Sequence, residues 1–388
     1  MPSNEPADAG APSRRRFLAL AGASAAAAAT AGCAGVRRRL RAPPVAWRTP
    51  LASVGHVNSP LVRVGDRVLA MGEHDLVAFA VDGERLWDSN GPFFNHATTG
   101  PVIADGVAVV GDAFGENRAG YRPDGTTVWS VAGEEGFMPF AALDGLVVGG
   151  QNREGHGVLA VDAADGAVAW GTTPDNWVTD DGGSAATDVV AAGSVLVAAD
   201  FDGPLAALNG DGTVRWTASD DWDTAGAGHP TLASSGSTAV AAGGAVAAFD
   251  AATGERRWRH VLPDYANGVA VADGTVSVAV GSDMPKVDSW DADAGVLAYN
   301  LAGGEPLWRT RLPAPEARSA TTTPAAAGDR VFVGVADGTL AALDAATGER
   351  RWSRPVGSEV YTAPLVGDRR VFVGVERDRS AELVAVSR

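Results

Sequence analysis

A glycine followed four residues later by a tryptophan recurs seven times along this chain: Gly83 and Trp87, Gly125 and Trp129, Gly166 and Trp170, Gly212 and Trp216, Gly254 and Trp258, Gly304 and Trp308, and Gly348 and Trp352. One offset held through seven copies is a repeat, and a repeat restricts the chain to architectures in which each unit buries its apolar face on the next. The fullest copy, Leu340 to Trp352, reads LAALDAATGERRW. Its alternating apolar run ends at Asp344, a turn passes through Gly348, and a returning strand carries the tryptophan. The Asp or Asn that begins the turn (Asp162, Asn209, Asp250, Asn300, Asp344) can bond its own backbone, and glycine supplies the positive φ that reverses the chain. Each copy is therefore expected to be a β-hairpin whose ring fills the gap between one small sheet and the next. Burying that ring gains at most about 4 to 6 kcal/mol, from about 150 to 250 Å² at about 25 cal/mol per Å².

Trp47, Trp87, Trp129, Trp170, Trp216, Trp258, Trp308 and Trp352 are separated by 40, 42, 41, 46, 42, 50 and 44 residues, the length of one four-stranded propeller blade. Trp47 differs, because Pro43 stands where the glycine should be and its strand has no hairpin partner upstream. At the other end, Arg370 to Ser387 supplies two strands, RRVFVGV and AELVAVS, and the chain stops where a tryptophan strand is due. Pairing the strand around Val45 to Arg48 with that end removes two exposed edges and closes a ring. Helix-length periodicity is absent from residue 45 onward. The predicted fold is all-β: an eight-bladed β-propeller of four-stranded antiparallel blades over residues 45–388, closed by its N-terminal and C-terminal strands.

Residues 1–44 read differently. Ser13-Arg14-Arg15-Arg16-Phe17-Leu18 is similar to a twin-arginine export signal, and an Ala-rich stretch follows to Thr30. This stretch is too short and too weakly apolar for a membrane span. It ends at Thr30-Ala31-Gly32-Cys33, which resembles a lipobox, and Cys33 is the single cysteine of the chain. The resulting division is 1–32 as a twin-arginine-type signal peptide with lipobox and 33–44 as a basic tether carrying Arg37, Arg38, Arg39 and Arg41. The expectation is export, with a lipid on Cys33 anchoring the protein to the outer face of the cell membrane. An ordinary signal peptide with an incidental cysteine, and a solvated linker, are the alternatives.

With one cysteine there can be no internal disulfide, so blade packing must supply the stability. The formal charge is −16, and residues 1–32 contribute three Arg against Glu5 and Asp8, which leaves −17 for the remainder. Nucleic acid is excluded as a partner on that balance. A ring closed on itself is read as a monomer.

Loops in a propeller blade alternate between two faces. The Asp-Gly turns share one face, and the connections after each tryptophan and between second and third strands share the other. The second face is irregular. It carries His56, Asn58, Asn95, His96, Phe137, Trp177, Asp181, Trp222, Asp223, His229, Tyr265, Asn267, Trp290 and Tyr361, with the longest insertion at Ser282 to Gly295. Loops that vary on a repeating scaffold are where binding usually resides, so the channel mouth on this face is the candidate site. Aromatic rings that merely plug the channel are the competing reading. The three histidines come from different blades without ligand spacing, and the aspartates suit an acidic rim as well as a hard cation. No nucleophile elbow, phosphate-cradling loop or HExxH motif is present.

The segments AFDAATGERRW (Ala248 to Trp258) and ALDAATGERRW (Ala342 to Trp352) resemble the pyrroloquinoline-quinone (PQQ) type propeller repeat. That family includes quinoprotein alcohol dehydrogenases and the non-enzymatic lipoprotein BamB of outer-membrane β-barrel assembly. The resemblance covers residues 45–388. Its enzyme branch implies a cofactor held on a tryptophan floor beneath an adjacent-cysteine disulfide with calcium bound alongside, and this chain has no cysteine pair. The BamB branch matches it in size, blade number and lipobox. The expected function is therefore a lipid-anchored, extracytoplasmic, non-catalytic module that binds a protein or extended ligand, with no cofactor. A PQQ- or metal-dependent oxidoreductase using the channel mouth, with PQQ and calcium, is the alternative.

Overall fold

Every one of the eight spaced tryptophans pairs across its strand with a residue that has almost no side chain. Trp47, Trp87, Trp129, Trp170, Trp216, Trp258, Trp308 and Trp352 stand opposite Ala385, Ala78, Gly120, Ala160, Ala207, Ala248, Ala298 and Ala342. The small partner leaves room for the indole to lie over the sheet. The computed structural model describes residues 42–51, 59–71, 75–89, 99–112, 117–132, 136–151, 157–179, 182–183, 185–200, 204–218, 230–281, 294–312 and 321–388. The propeller lies wholly within the unit Arg41–Arg388.

Seven blades are continuous antiparallel four-stranded sheets, spanning residues 62–88, 102–132, 138–172, 186–218, 231–261, 266–311 and 325–355, numbered here blades 1 to 7. Blade 8 is composite. Its inner edge is split into Glu359–Val360 and Leu365–Val366, its middle strands are Arg370–Arg377 and Ser380–Ser387, and its outer strand is Val45–Pro50. Thr49 pairs with Leu383 and Trp47 with Ala385, so the ends meet as expected.

The middle strands of each blade are rich in Val, Ala and Leu because both of their faces are covered, as in Val107–Gly111 and Thr238–Ala242. Eight apolar clusters result, each joining one blade to the next: Leu69 and Ala108 belong to the cluster of blades 1 and 2, Phe332 and Val373 to that of blades 7 and 8. Phe79 and Leu383 sit in the cluster that closes blade 8 on blade 1. Outer strands are polar on their free face, as in Arg350–Pro355, where only Trp352 is buried.

The tryptophan reaches across the seam to the hairpin of the following blade. Trp129 Nε1 donates to Ala163 O at 2.8 Å, Trp216 to Ala251 O at 2.8 Å and Trp258 to Leu301 O at 2.8 Å. Trp47, Trp87, Trp170 and Trp308 do the same to Val81, Pro123, Gly210 and Ala345. Trp352 has no such turn ahead of it, since the third and fourth strands of blade 8 are not joined by a hairpin. Trp129, Trp258 and Trp352 are buried and the other five half-buried.

The turn glycine therefore has two tasks. Gly166, at φ 75°, reverses the chain, and a Cβ there would lie 2.5 Å from the ring of Trp129 in the preceding blade. The turns themselves come in two lengths. Gly83, Gly125 and Gly212 close onto the third residue back, and Gly166, Gly254, Gly304 and Gly348 onto the fourth. Asp162, Asp250, Asn300 and Asp344 cap their own turns as expected, whereas at Asn209 the backbone cap comes from Asp211, which accepts from Thr213 N at 3.0 Å. In all seven hairpins a β-bulge falls between the tryptophan and the turn. It leaves the residue before the ring unpaired and twists the outer strand.

Candidate functional site

The channel wall is made by the inner strands, and most of their residues are small or apolar. Asp188, in Ala186–Ala192 of blade 4, is one of the charged exceptions, with Arg63 in blade 1 and Glu359 in blade 8. The Asp188 carboxylate accepts the N–H of Leu232 from the inner strand of blade 5 at 2.7 Å. Protein surrounds the group on every side although solvent reaches part of the residue, and this burial raises its pKa to about 7 against the opposing pull of the Leu232 and Val189 N–H groups. Ser234 Oγ donates to Ala191 O at 2.7 Å, so blades 4 and 5 are joined twice along the wall. Asp188 therefore titrates near neutral pH where blades 4 and 5 meet. The signal in the sequence is a lone acid within ATDVVAA.

The described part of the irregular face separates the anticipated residues into two kinds. Phe137 and Trp177 are each only 1% exposed and pack beneath the face. They are core residues and offer a partner no ring surface, which corrects their reading as contact residues. Trp177 ends a 3₁₀ turn, Asp175–Trp177, and belongs to the cluster of blades 3 and 4. Tyr265, Asn267 and Tyr361 are half-buried and lie at the inner strands of blades 6 and 8. Asn267 Nδ2 donates to Thr321 Oγ1 at 3.2 Å, and Asn267 O accepts from Thr323 Oγ1 at 3.3 Å, which ties blade 6 to blade 7. Tyr361 donates its hydroxyl to the Glu376 carboxylate. Burial first, then the bond to Glu376 and the charges of Glu359 and Glu376, pushes the phenol well above its ordinary pKa and keeps it a donor. Nothing in the sequence singled out Glu359, Glu376, Thr321 or Thr323, because their partners come from strands far apart in the chain.

His56, Asn58, Asn95, His96, Asp181, Trp222, Asp223, His229 and Trp290 lie outside the described residues, as do Arg14, Arg15 and Cys33. Among the described residues no three His, Cys, Asp or Glu side chains stand together as a metal site. The described wall thus offers hydrogen-bond donors, a titratable carboxyl and aromatic edges, an arrangement that suits recognition.

A family model described as outer membrane protein assembly factor BamB matches residues 114–288 and 292–387. The chain belongs to the BamB family. Outer membrane protein assembly factor BamB of Burkholderia pseudomallei is 26% identical over 262 residues, 64% of this chain and 63% of that protein. The quinohemoprotein alcohol dehydrogenase of Comamonas testosteroni is 38% identical over 82 residues, 21% of this chain and 11% of the enzyme. Each match thus spans less than two thirds of the relative's own length. The crystal structure of BamB from Moraxella catarrhalis shares the fold at a TM-score of 0.63, with 20% identity, over 89% of this chain and 99% of that one. The Comamonas testosteroni enzyme does so at 0.67, with 15% identity, over 90% and 77%. One scaffold therefore serves a BamB protein and a quinohemoprotein enzyme, and the shared fold does not by itself assign a chemistry.

Proposed function

We propose that this BamB-family propeller is an extracytoplasmic binding module, tethered by a lipid on Cys33 after export through the twin-arginine signal around Arg14 and Arg15. Its role is non-catalytic. It holds a protein partner or an extended ligand on the face opposite the Asp-Gly turns. The observation that carries this reading is the asymmetry between the faces. One face repeats the same hairpin around the ring, and the other carries unlike connections that bring Tyr265, Asn267 and Tyr361 to the inner strands. Membership of the BamB family supports a protein as the partner. The chain enters the propeller at Ala42 on the hairpin side, where Ser387 N donates to Pro44 O at 3.1 Å and Arg354 donates to Ala42 O at 2.6 Å.

A photo-crosslinking residue placed at Trp222, Tyr265 or Trp290 should give a defined protein adduct in cells, and the same residue at Asp124, Asp211 or Glu305 on the hairpin face should not. Adducts from the hairpin positions alone would overturn the assignment. Cys33→Ala should release the protein from the membrane fraction; retention there would remove the lipid from the proposal.

A further inference from the structure

The pairing ladders align the blades residue for residue, and one row departs from its repeat. The residue across from the tryptophan's small partner is Leu69, Val109, Val148, Val197, Val240, Phe332 and Phe372 in blades 1 to 5, 7 and 8. All seven are large, apolar and at most 2% exposed. In blade 6 the place belongs to Ser277, paired with Ala298 opposite Trp308. Ser277 is also fully buried, and its hydroxyl has no hydrogen-bond partner within the protein. A seam that elsewhere takes a branched or aromatic side chain here takes a hydroxymethyl group, and a cavity of about 240 Å³ opens beside it between blades 6 and 7.

The cavity lies on the hairpin side, away from the proposed partner face. Ser277 and Thr275 form its polar wall, Ala326 lies on the facing blade, and Asp273 and Asp329 stand exposed in the turns at its rim. Asp344 also lines it but is already engaged. One of its oxygens accepts from Ala346 N and Thr347, and the other from Arg351. The free volume takes about eight water-sized groups. A buried hydroxyl is unfavourable without a partner, and two carboxylates at the rim, Asp273 and Asp329, favour positive charge although Asp329 also stands 3.6 Å from Arg330 Nε in an exposed pair.

We propose that this seam binds a short aliphatic amine carrying a second hydrogen-bonding group. The ammonium sits between Asp273 and Asp329, the methylenes run along the alanine wall, and the far amine or hydroxyl meets Ser277 and Thr275. The test is titration calorimetry on the full chain with 1,4-diaminobutane, 4-amino-1-butanol and the uncharged 1,4-butanediol at constant ionic strength. Both amines should bind at least tenfold more tightly than the diol. Ser277→Val, which restores the side chain found in four other blades, should abolish amine binding while raising the melting temperature. Asp273→Asn together with Asp329→Asn should weaken amine binding at least fivefold and leave the diol unaffected. Equal binding by Ser277→Val, equal binding of diol and amine, or binding by neither amine would overturn the site and leave a seam filled by water.

Discussion

Six seams of this ring and the one that closes it use the same set of contacts by different means, while the seam between blades 7 and 8 lacks the turn that the tryptophan meets elsewhere. In blades 1 to 7 the third and fourth strands are joined by a hairpin, so the tryptophan strand is delivered by a covalent turn. In blade 8 the tryptophan strand, Val45–Pro50, arrives from the other end of the chain and is held by its ladder to Ser380–Ser387, by Val45 and Arg48 against the seam with blade 7, and by what it touches in blade 1. Yet the closing contact copies the others. Trp47 donates to Val81 O at 3.1 Å and its ring lies against Gly83, where a Cβ would meet it at 2.6 Å. Thr49 Oγ1 donates to Gly83 O at 2.7 Å, as Thr172 does to Gly212 and Thr310 to Gly348. The seam is therefore specified by the ring, the small cross-strand residue and the turn glycine, and the covalent link is dispensable.

Removing the non-covalent strand tests this most severely. A chain beginning at Leu51 loses Trp47 from the closing seam and leaves the ladder edge at Leu383 and Ala385 bare. It should melt at least about 10 °C lower than the full propeller, because burial worth about 3 to 5 kcal/mol per large ring disappears with it. A peptide of residues 42–51 added in trans should restore much of the loss, whereas a chain beginning at Ala42 should melt as the parent does. Circular dichroism on the three proteins is enough to decide.

A pair of glycines sharpens the same comparison within a continuous seam. Gly166 and Gly106 have nearly equal φ, 75° and 76°, but a Cβ at Gly106 would meet nothing within 4 Å. Gly106→Ala should cost the left-handed strain alone, about 1 to 2 kcal/mol. Gly166→Ala adds displacement of the Trp129 ring and should cost about 2 to 5 kcal/mol. Equal losses in denaturant unfolding would show that the repeat glycine serves only its own turn.

That second task of the glycine marks the limit of what could be read in advance. The blade count, the split blade 8 and the orientation of the hairpins follow from Trp47, Pro43 and the missing strand after Ser387, because a fixed offset reports local geometry. The offset between Gly166 and Trp170 is local, but the contact of Gly166 with Trp129 joins two blades and leaves no spacing to detect. Asp188 was passed over for a related reason: its partner, Leu232, lies in another blade. Phe137 and Trp177 misled because an aromatic residue in a connection reads the same whether its ring points to solvent or into the seam beneath.

Two carboxylates place opposite pH demands on the ring. In the folded chain Asp188 titrates near 7 instead of its ordinary 3.8, chiefly through burial. Between about pH 4 and 7 the folded state keeps a proton that the unfolded state has released, so stability falls as pH rises through that window and levels above it. Asp344 is held down to about 2, first by its bond to Arg351 and then by Thr347. Its contribution is present above the ordinary value and is lost as pH falls from about 4 toward 2. Asp188→Asn should flatten the loss between pH 4 and 7 and leave the acid limb in place. A slope unchanged by Asp188→Asn would mean that this carboxyl does not bear the burial assigned to it.

The smallest effect concerns the ion pair that visibly bridges the closing seam. Arg63 reaches Asp368 at 3.0 Å, with the two side chains 32% and 84% exposed. Solvent screens such a pair, and the side-chain order it demands offsets most of the attraction. Arg63→Ala should leave the urea midpoint at its parent value, in low salt and in 1 M salt alike, while Trp47→Ala moves it substantially. Should Arg63→Ala shift the midpoint as far as Trp47→Ala does, and only at low salt, the closing seam would be held by charge and would differ in kind from the six that share its tryptophan contact.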